Sequence, residues 1–386
     1  MPPKRTSSST SKRKASPADT DNEAPAVPKR AKLSSASDAT RYSDQPTNKV
    51  LPVTINFPPK KDGTLRFSTW NIAGLAASQK KVRTLDTIIM ASPLHIYFLL
   101  NSLQGFKHYI EAEDPDILVL NETKVNDIPV DPSLSQRFPY AHWSISAKKT
   151  YAGTAILSKI QPLSVDMTLP GHPDPASVKG RIITLEFKGA YVVATYVVNA
   201  GQNLKTLSEK NVWNQHFTTY IRDLDKKKPV IWLGDLNVAP AAIGCILIEK
   251  DLSNAKKNWN KTPGYTKDET EAFANILNPP ENAPDSGKFI DVWRRRNPDT
   301  THFTYFSYRF NCREKSLGWR LDMSDDDSDP VLAVVLSERI FDKVKTCEIR
   351  SDIYGASDHC PIIMEIDQSV LESVDSASEV APAESS

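Results

Sequence analysis

A stretch at residues 229–240 contains the side chains of this sequence that are best suited to hydrolytic chemistry. An apolar run of strand length stops at Gly234, and Asp235 and Asn237 follow it with one residue between them. Residues two apart on an extended backbone project to the same side, so the carboxylate and the carboxamide would point at one spot. A carboxylate can take a proton from water, and a neutral amide can position a reacting oxygen. The alternative is a strand end that simply carries turn-forming Asp and Asn.

Other polar side chains also follow apolar segments of strand length. Asn71 and Glu122 stand at the ends of two such segments, and the turn that contains Asp358 and His359 leads into a third. Strand ends at one edge of a sandwich converge, so we expect these groups to share a cleft. Carboxylates gathered in a cleft repel each other unless a divalent cation lies among them, and oxygen ligands favour Mg2+ or Mn2+. The Cys and His spacings typical of zinc sites are missing.

His359 is the second strong element, because imidazole can move protons or contact a phosphate near neutral pH. A lone histidine is more often a packed or surface residue, but this one follows a carboxylate in a short turn before a predicted strand. Its orientation requires another carboxylate, and Asp322 is the candidate.

The segments that must position these groups are mostly strands. Apolar runs and alternation predict strands at residues 65–71, 116–124, 151–158, 181–187, 191–198, 230–234, 331–336 and 361–366. Helical spacing predicts helices at residues 204–224 and 268–277. Hairpins mixed with helices that can cover sheet faces indicate an α/β fold, a four-layer sandwich of two mixed β-sheets flanked by helices.

The two ends of the chain differ from its middle in composition. Residues 1–63 are rich in Ser, Pro, Lys and Thr, which predicts a disordered basic tail, and residues 368–386 read as a disordered acidic tail. Between them, residues 64–367 form the predicted catalytic domain. Basic clusters at 12–14 and 28–32 indicate a nuclear-import signal, with a phosphate-binding arm or a solvated charge run as alternatives.

Overall composition limits the possible partners. The formal net charge is only +1, so affinity for a polyanion must come from a local basic groove. The four cysteines are far apart and lack metal or redox spacing, which favours a reduced intracellular setting. The apolar cluster at 88–100 is too short to span a membrane, and we expect a soluble protein that acts as a monomer.

Seven motifs occur in the order found in the exonuclease III/AP endonuclease family, which the chain resembles over residues 65–366. They are residues 70–75, 121–124, 196–201, 234–239, 263–266, 318–322 and 357–361. The family belongs to the endonuclease/exonuclease/phosphatase superfamily. The resemblance implies Mg2+-dependent hydrolysis (Mn2+ being possible) of the phosphodiester 5′ to an abasic site in double-stranded DNA, which leaves a 3′-hydroxyl. It also implies 3′–5′ exonuclease or 3′-phosphodiesterase activity.

The resemblance assigns roles residue by residue. The catalytic residues it implies are Tyr196, Asp235, Asn237, Asp322 and His359. The metal site it implies centres on Glu122 and includes Asn71, Asp235, Asn237, Asp358 and His359. The DNA or phosphate contacts it implies are Lys124, Asn199, Tyr305, Trp319 and Leu321, of which the last three match an apolar pocket for a base-less sugar.

The sequence departs from the family pattern in several places. Ala73 stands where the family usually has an aspartate that supports the metal, so weaker metal binding is expected. Segments at 82–104, 244–250 and 323–330 look inserted, either as retained intron sequence or as genuine surface loops. Two other functions therefore stay open: another phosphoesterase of the superfamily, and a DNA-binding module with impaired catalysis.

Overall fold

Two six-stranded β-sheets form the centre of the protein. The structure, a computed structural model, describes residues 45–47, 55–80, 105–239, 253, 255–279, 287–308, 311–320, 332–353 and 355–372. All of them lie in the unit Arg41–Ser386.

The strands of the first sheet, in spatial order, are β11 (Val344–Ile349), β12 (Ile362–Asp367), β1 (Thr64–Asn71), β2 (Ile117–Asn121), β4 (Thr154–Ser158) and β3 (Tyr140–Ser144). Those of the second are β5 (Ser164–Asp166), β6 (Ile182–Glu186), β7 (Tyr191–Tyr196), β8 (Val230–Asp235), β10 (Leu332–Ser337) and β9 (Phe289–Asp291). Each sheet is antiparallel except for one parallel pair, β1 with β2 and β7 with β8. The predicted sandwich of two mixed sheets is confirmed.

The described helices are α1 (Leu75–Lys80), α2 (Gly105–Glu113), α3 (Pro132–Arg137), α4 (Pro175–Val178), α5 (Leu207–Asp225), α6 (Ala255–Asn258), α7 (Lys267–Leu277), α8 (Val292–Arg296) and α9 (Ser369–Glu372). Helix α5 buries the face that its sequence period predicts, and its Phe217 ring lies 4.7 Å from Trp232 of β8. The ring of Phe273, from α7, lies 6.1 Å from the Trp232 ring. These contacts hold the helices against the outer face of the second sheet.

A dry apolar core joins the inner faces of the two sheets. Its fully buried members include Trp70, Leu118, Leu120, Ile231, Leu233 and Val334. Burial of side chains of this size stabilises a fold by about 1.5–3 kcal/mol each. Because the core fixes both sheets, the carboxyl ends of the two parallel pairs are held at one edge of the sandwich, where Asn71 pairs with Asn121 and Tyr196 with Asp235.

The predicted elements are confirmed to within three residues at each end. The sequence analysis missed four strands, β3, β5, β9 and β11, and all four lie at sheet edges. The predicted inserts at 82–104, 244–250 and 323–330 lie outside the described residues, as do the two basic clusters near the N-terminus. Within the described part of the chain, no helix combines the length and apolarity needed to cross a membrane.

The folded region extends beyond the predicted boundaries of 64 and 367. Gln45 is 1% exposed, its Nε2 donates to Phe303 O (2.7 Å) and Ser351 Oγ (3.0 Å), and its Oε1 accepts from Phe303 N. At the other end, α9 buries Val370 and Leu371. Gln45 and α9, which lie within the predicted tails, contact the domain, and residues 46, 47, 55–63 and 368 of those tails are described as well.

We predict that removal of residues 1–50 lowers the free energy of unfolding by about 1–3 kcal/mol relative to removal of residues 1–44, because the buried N–H and C=O of Phe303 lose their partner. Urea denaturation of the two truncated proteins measures the difference, and Gln45→Ala in the full chain should reproduce it. Equal unfolding free energies for the two truncations would show that Gln45 contributes nothing.

Candidate active site

The side chain of Asn71 connects the two sheets at the carboxyl ends of the parallel strands. Its Nδ2 donates to Glu122 Oε1 at 3.0 Å and to Asp235 Oδ2 at 2.8 Å. Glu122 directly follows β2 of the first sheet, and Asp235 ends β8 of the second. One amide therefore holds two carboxylates from different sheets close together.

Glu122 receives further donors from both sides. Tyr196 OH donates to Oε1 at 3.0 Å, and Lys124 Nζ lies 2.7 Å from Oε2. Burial by itself raises the pKa of Glu122, but the Lys124 charge and the hydrogen bonds from Lys124 and Asn71 outweigh it, so that the pKa lies below its usual range. Glu122 is thus a buried carboxylate that stays ionised at neutral pH.

The turn after β8 brings Asp235 and Asn237 together, although not by the predicted extended spacing. Asn237 has φ 52°, in the left-handed region, and its backbone N–H donates to Asp235 Oδ1 at 3.2 Å. Its side-chain Nδ2 donates to Val197 O (2.7 Å), and its Oδ1 accepts from Asn199 Nδ2 (2.8 Å). Asp235 and Asn237 therefore both form the turn and belong to the candidate site.

The segment around His359 is fastened to β1. Ser357 Oγ donates to Asn71 O at 2.7 Å, and Trp70 Nε1 donates to His359 O at 2.9 Å. Burial lowers the pKa of His359 to about 3, against the opposing effect of the Glu122 carboxylate. The imidazole is accordingly neutral near pH 7 and can act as an N–H hydrogen-bond donor.

Several non-glycine residues of this region have left-handed backbones, among them Ala73 (φ 49°), Glu122 (49°), Lys124 (52°) and Asn237 (52°). Each such residue costs about 1–2 kcal/mol in local strain. Strain of this kind persists where the surrounding structure over-determines it, and it concentrates at functional sites. The rest of the fold holds these residues in place.

A cavity of about 550 Å³ opens over this cluster. Its wall contains Glu122, Lys124, Tyr196, Asn199, Asp358 and His359, together with Ala73 and Lys205. Asp235 and Asn237 are 0% and 3% exposed and lie behind this wall, hydrogen-bonded to Asn71 and Asn199. The structure thus brings together nine of the predicted residues, namely Asn71, Glu122, Lys124, Tyr196, Asn199, Asp235, Asn237, Asp358 and His359.

The predicted sugar-pocket residues lie beside this cluster. Tyr305 pairs in short β-bridges with Trp319 and His359, and its ring lies 4.8 Å from the His359 ring. Tyr305 and Trp319 are 2% and 5% exposed and do not line the cavity. Leu321 and Asp322 lie outside the described residues, so the pairing of Asp322 with His359 stays a prediction.

The sequence analysis missed a second amide that crosses between the sheets. Asn121 Nδ2 donates to Thr195 O at 3.0 Å, and both residues are completely buried. The only feature of the sequence that could have indicated this contact is the position of Asn121 beside Glu122 in the motif at 121–124. It also missed Arg181, whose guanidinium lies 5.2 Å from the Tyr196 ring and donates from Nη2 to Tyr151 OH at 3.0 Å.

The donors of this site fit a hard divalent cation. The described residues contain no group of three or more His, Cys, Asp or Glu arranged to hold a metal. Mg2+, however, is commonly held by one or two carboxylates with waters and phosphate oxygens. Glu122 supplies one buried carboxylate, and Asp358 lines the same cavity. Ala73 lies in the same wall and adds no ligand.

Comparison with known proteins agrees with this geometry. Residues 68–324 match the Endonuclease/Exonuclease/phosphatase family. The chain is 32% identical over 299 residues to an exodeoxyribonuclease of Bacillus subtilis, covering 77% of this chain and 98% of the relative. It is 32% identical over 324 residues to the DNA repair nuclease APEX1 of Danio rerio, covering 81% and 88%. A 3′ phosphatase from Neisseria, solved with a product DNA hairpin, superposes with a TM-score of 0.58 at 25% identity, covering 78% and 99%.

The chain belongs to the endonuclease/exonuclease/phosphatase family, within its exonuclease III-like branch of AP endonucleases. It is an enzyme of the phosphodiesterase class.

We predict that Gly234→Ala lowers the free energy of unfolding by more than about 2 kcal/mol. At φ +128°, an added Cβ would overlap Thr195 O and lie 3.1 Å from Asn121 Oδ1. Gly63→Ala is the control, since Gly63 has φ +70° but no neighbour within 4 Å, and it should cost about 1 kcal/mol. Denaturation midpoints compare the two, and equal losses would mean that the close packing of Gly234 against Thr195 and Asn121 is unimportant.

Proposed function

We propose that the protein is a Mg2+-dependent DNA repair enzyme that hydrolyses the phosphodiester 5′ to an abasic site and leaves a 3′-hydroxyl. The observation that carries the proposal is the joining of Glu122 and Asp235 by Asn71, with Tyr196 on the same Glu122 oxygen. Relatives named as a DNA repair nuclease and as an AP endonuclease support the choice of substrate.

The chemistry divides among the residues of the site. Asp235, with Oδ2 held by Asn71 and Oδ1 by the Asn237 backbone, takes a proton from the attacking water. Neutral His359 and the Asn199 amide line the cavity and donate to oxygens of the scissile phosphate. Glu122, with Asn71 and Asp358 close by, would hold a divalent cation, which would supply positive charge to the reaction when bound.

Tyr196 and Lys124 stabilise the charge arrangement around the reaction. The Tyr196 hydroxyl hydrogen-bonds to Glu122 and faces the cavity, where it contacts the phosphate or assists the leaving oxygen. Lys124 partly neutralises Glu122 and reaches the DNA backbone. The pocket for a sugar without a base is assigned to Tyr305, Trp319 and Leu321 by the family resemblance alone, since Tyr305 and Trp319 are buried beside the cavity and do not line it.

Two further properties belong to this proposal. The basic clusters at 12–14 and 28–32 direct the protein to the nucleus. This is tested by comparing the cellular location of fluorescent fusions with and without residues 1–40. The enzyme acts on double-stranded DNA as a monomer. Its molar mass in solution, measured by light scattering, tests the monomeric state.

We predict that the wild-type protein with Mg2+ incises a duplex 5′ to a tetrahydrofuran abasic analogue and leaves the intact duplex uncut. Glu122→Gln and His359→Asn should each lower kcat by about 100-fold or more, since the first removes the charge assigned to the cation and the second replaces the imidazole donor by a shorter amide. Labelled duplexes and gel electrophoresis measure both effects. Release of mononucleotides from blunt ends without incision would favour a 3′ exonuclease or phosphatase, and lesion binding without turnover would favour an impaired DNA-binding module.

We predict that Ala73→Asp lowers the dissociation constant for Mn2+ about tenfold or more, because it adds a carboxylate to the cavity wall that contains Glu122. Titration of the free protein followed by electron paramagnetic resonance measures metal binding without reference to activity. Ala76→Asp adds the same charge at an exposed position of α1 and should leave the affinity unchanged. If both variants bind Mn2+ as the wild type does, residue 73 has no part in the metal site.

A further inference from the structure

A buried lysine contacts the backbone of the turn that follows β8, residues 235–239, which we call the catalytic turn. Lys210 lies in the first turns of α5 and is 0% exposed. Its Nζ donates to Asn237 O and to Glu269 Oε1, the latter at 2.6 Å. Lys210 neither lines the cavity nor contacts any other residue assigned above to the site.

Glu269 connects the lysine to a second element. It is 0% exposed, its Oε1 also accepts from Gly264 N at 2.9 Å, and its Oε2 accepts from Thr266 Oγ1 at 2.8 Å. Glu269 also completes the capping box that begins α7, since its Oε2 accepts from Thr266 N at 3.2 Å and its own N–H donates to Thr266 Oγ1 at 3.3 Å. Gly264 O in turn accepts from Ala239 N at 2.7 Å. The catalytic turn is therefore held on both sides of Val238 by one buried polar network.

Stability alone does not explain this arrangement. A buried ion pair loses the hydration of both charges, and apolar residues of similar volume often stabilise a fold equally well. What an apolar pair would not provide is a donor for Asn237 O. Asn237 has a left-handed backbone, and relaxation of that backbone to an ordinary conformation would move its side-chain amide away from Val197 and Asn199.

We propose that Lys210 is a positioning residue for hydrolysis. By holding Asn237 O, its ammonium fixes the peptide that follows Asn237 and so restricts the backbone of the residue whose N–H contacts Asp235 and whose side-chain amide contacts Asn199. Glu269 fixes Lys210 in turn. This inference rests on the proposed function, because it takes Asn237 and Asp235 as the residues whose placement matters. Small displacements of catalytic groups lower rates by up to about 100-fold.

The test compares Lys210→Met, Lys210→Arg and Glu269→Gln with a matched control. The control is Glu113→Gln: Glu113 is also 0% exposed and pairs with Arg350 at 2.6 Å, and neither residue lines the cavity. Lys210→Met should lower kcat for abasic-duplex incision about 10- to 100-fold with KM changed less than about threefold. Lys210→Arg, which keeps a charged donor, should recover most of the rate, and Glu113→Gln should keep wild-type kcat.

A structural readout separates this inference from the proposed function. The backbone amide resonances of Leu236 and Val238 should shift in Lys210→Met and not in Glu113→Gln, whether or not the protein incises abasic DNA. If Lys210→Met does not fold, Glu269→Gln provides the same comparison with an acceptor oxygen retained. Unshifted resonances, or a kcat as high as that of Glu113→Gln, would overturn the positioning role. Failure of the wild type to incise the lesion would instead overturn the proposed function.

Discussion

One amide group, that of Asn71, holds two buried carboxylates from different sheets at hydrogen-bonding distance. Glu122 and Asp235 would repel each other in a dry site, and the amide, the Tyr196 hydroxyl and the Lys124 ammonium offset that repulsion. Because Ser357 also donates to the Asn71 backbone, the loop that carries His359 depends on the same residue. The residues of the site are thus held in place by contacts with Asn71 at the end of β1.

The fold supplies this convergence through its two parallel strand pairs. Each sheet is otherwise antiparallel. The carboxyl ends of both parallel pairs, with their polar residues, lie at the same edge of the sandwich. The packed core prevents the sheets from sliding, and close approach at Gly234, with Asn121 reaching Thr195, fixes their separation. Strained backbones at Glu122 and Asn237 are a consequence, because the ends of rigid strands leave little freedom for the residues that follow.

The sequence predicted the central strands and most of the clustered residues, since fully buried strands are continuous apolar runs and their polar ends stand out. It missed β3, β5, β9 and β11 because edge strands are short or half-exposed and lack that signal. It also missed Asn121, Lys210 and Gln45, whose roles arise only from contacts between distant segments. The structure brings Asp235 and Asn237 together, but through a turn and not by the extended geometry that the sequence predicted.

A double-mutant cycle between Asn71 and Tyr196 tests the central claim most directly, because both donate to Glu122 Oε1 from different sheets. The measurement is the single-turnover rate of abasic-duplex incision by Asn71→Ala, Tyr196→Phe and the double variant. A shared carboxylate predicts coupling, with the double variant departing from the product of the single effects by about threefold or more. Single effects that multiply, with no coupling, would contradict a site organised around Glu122.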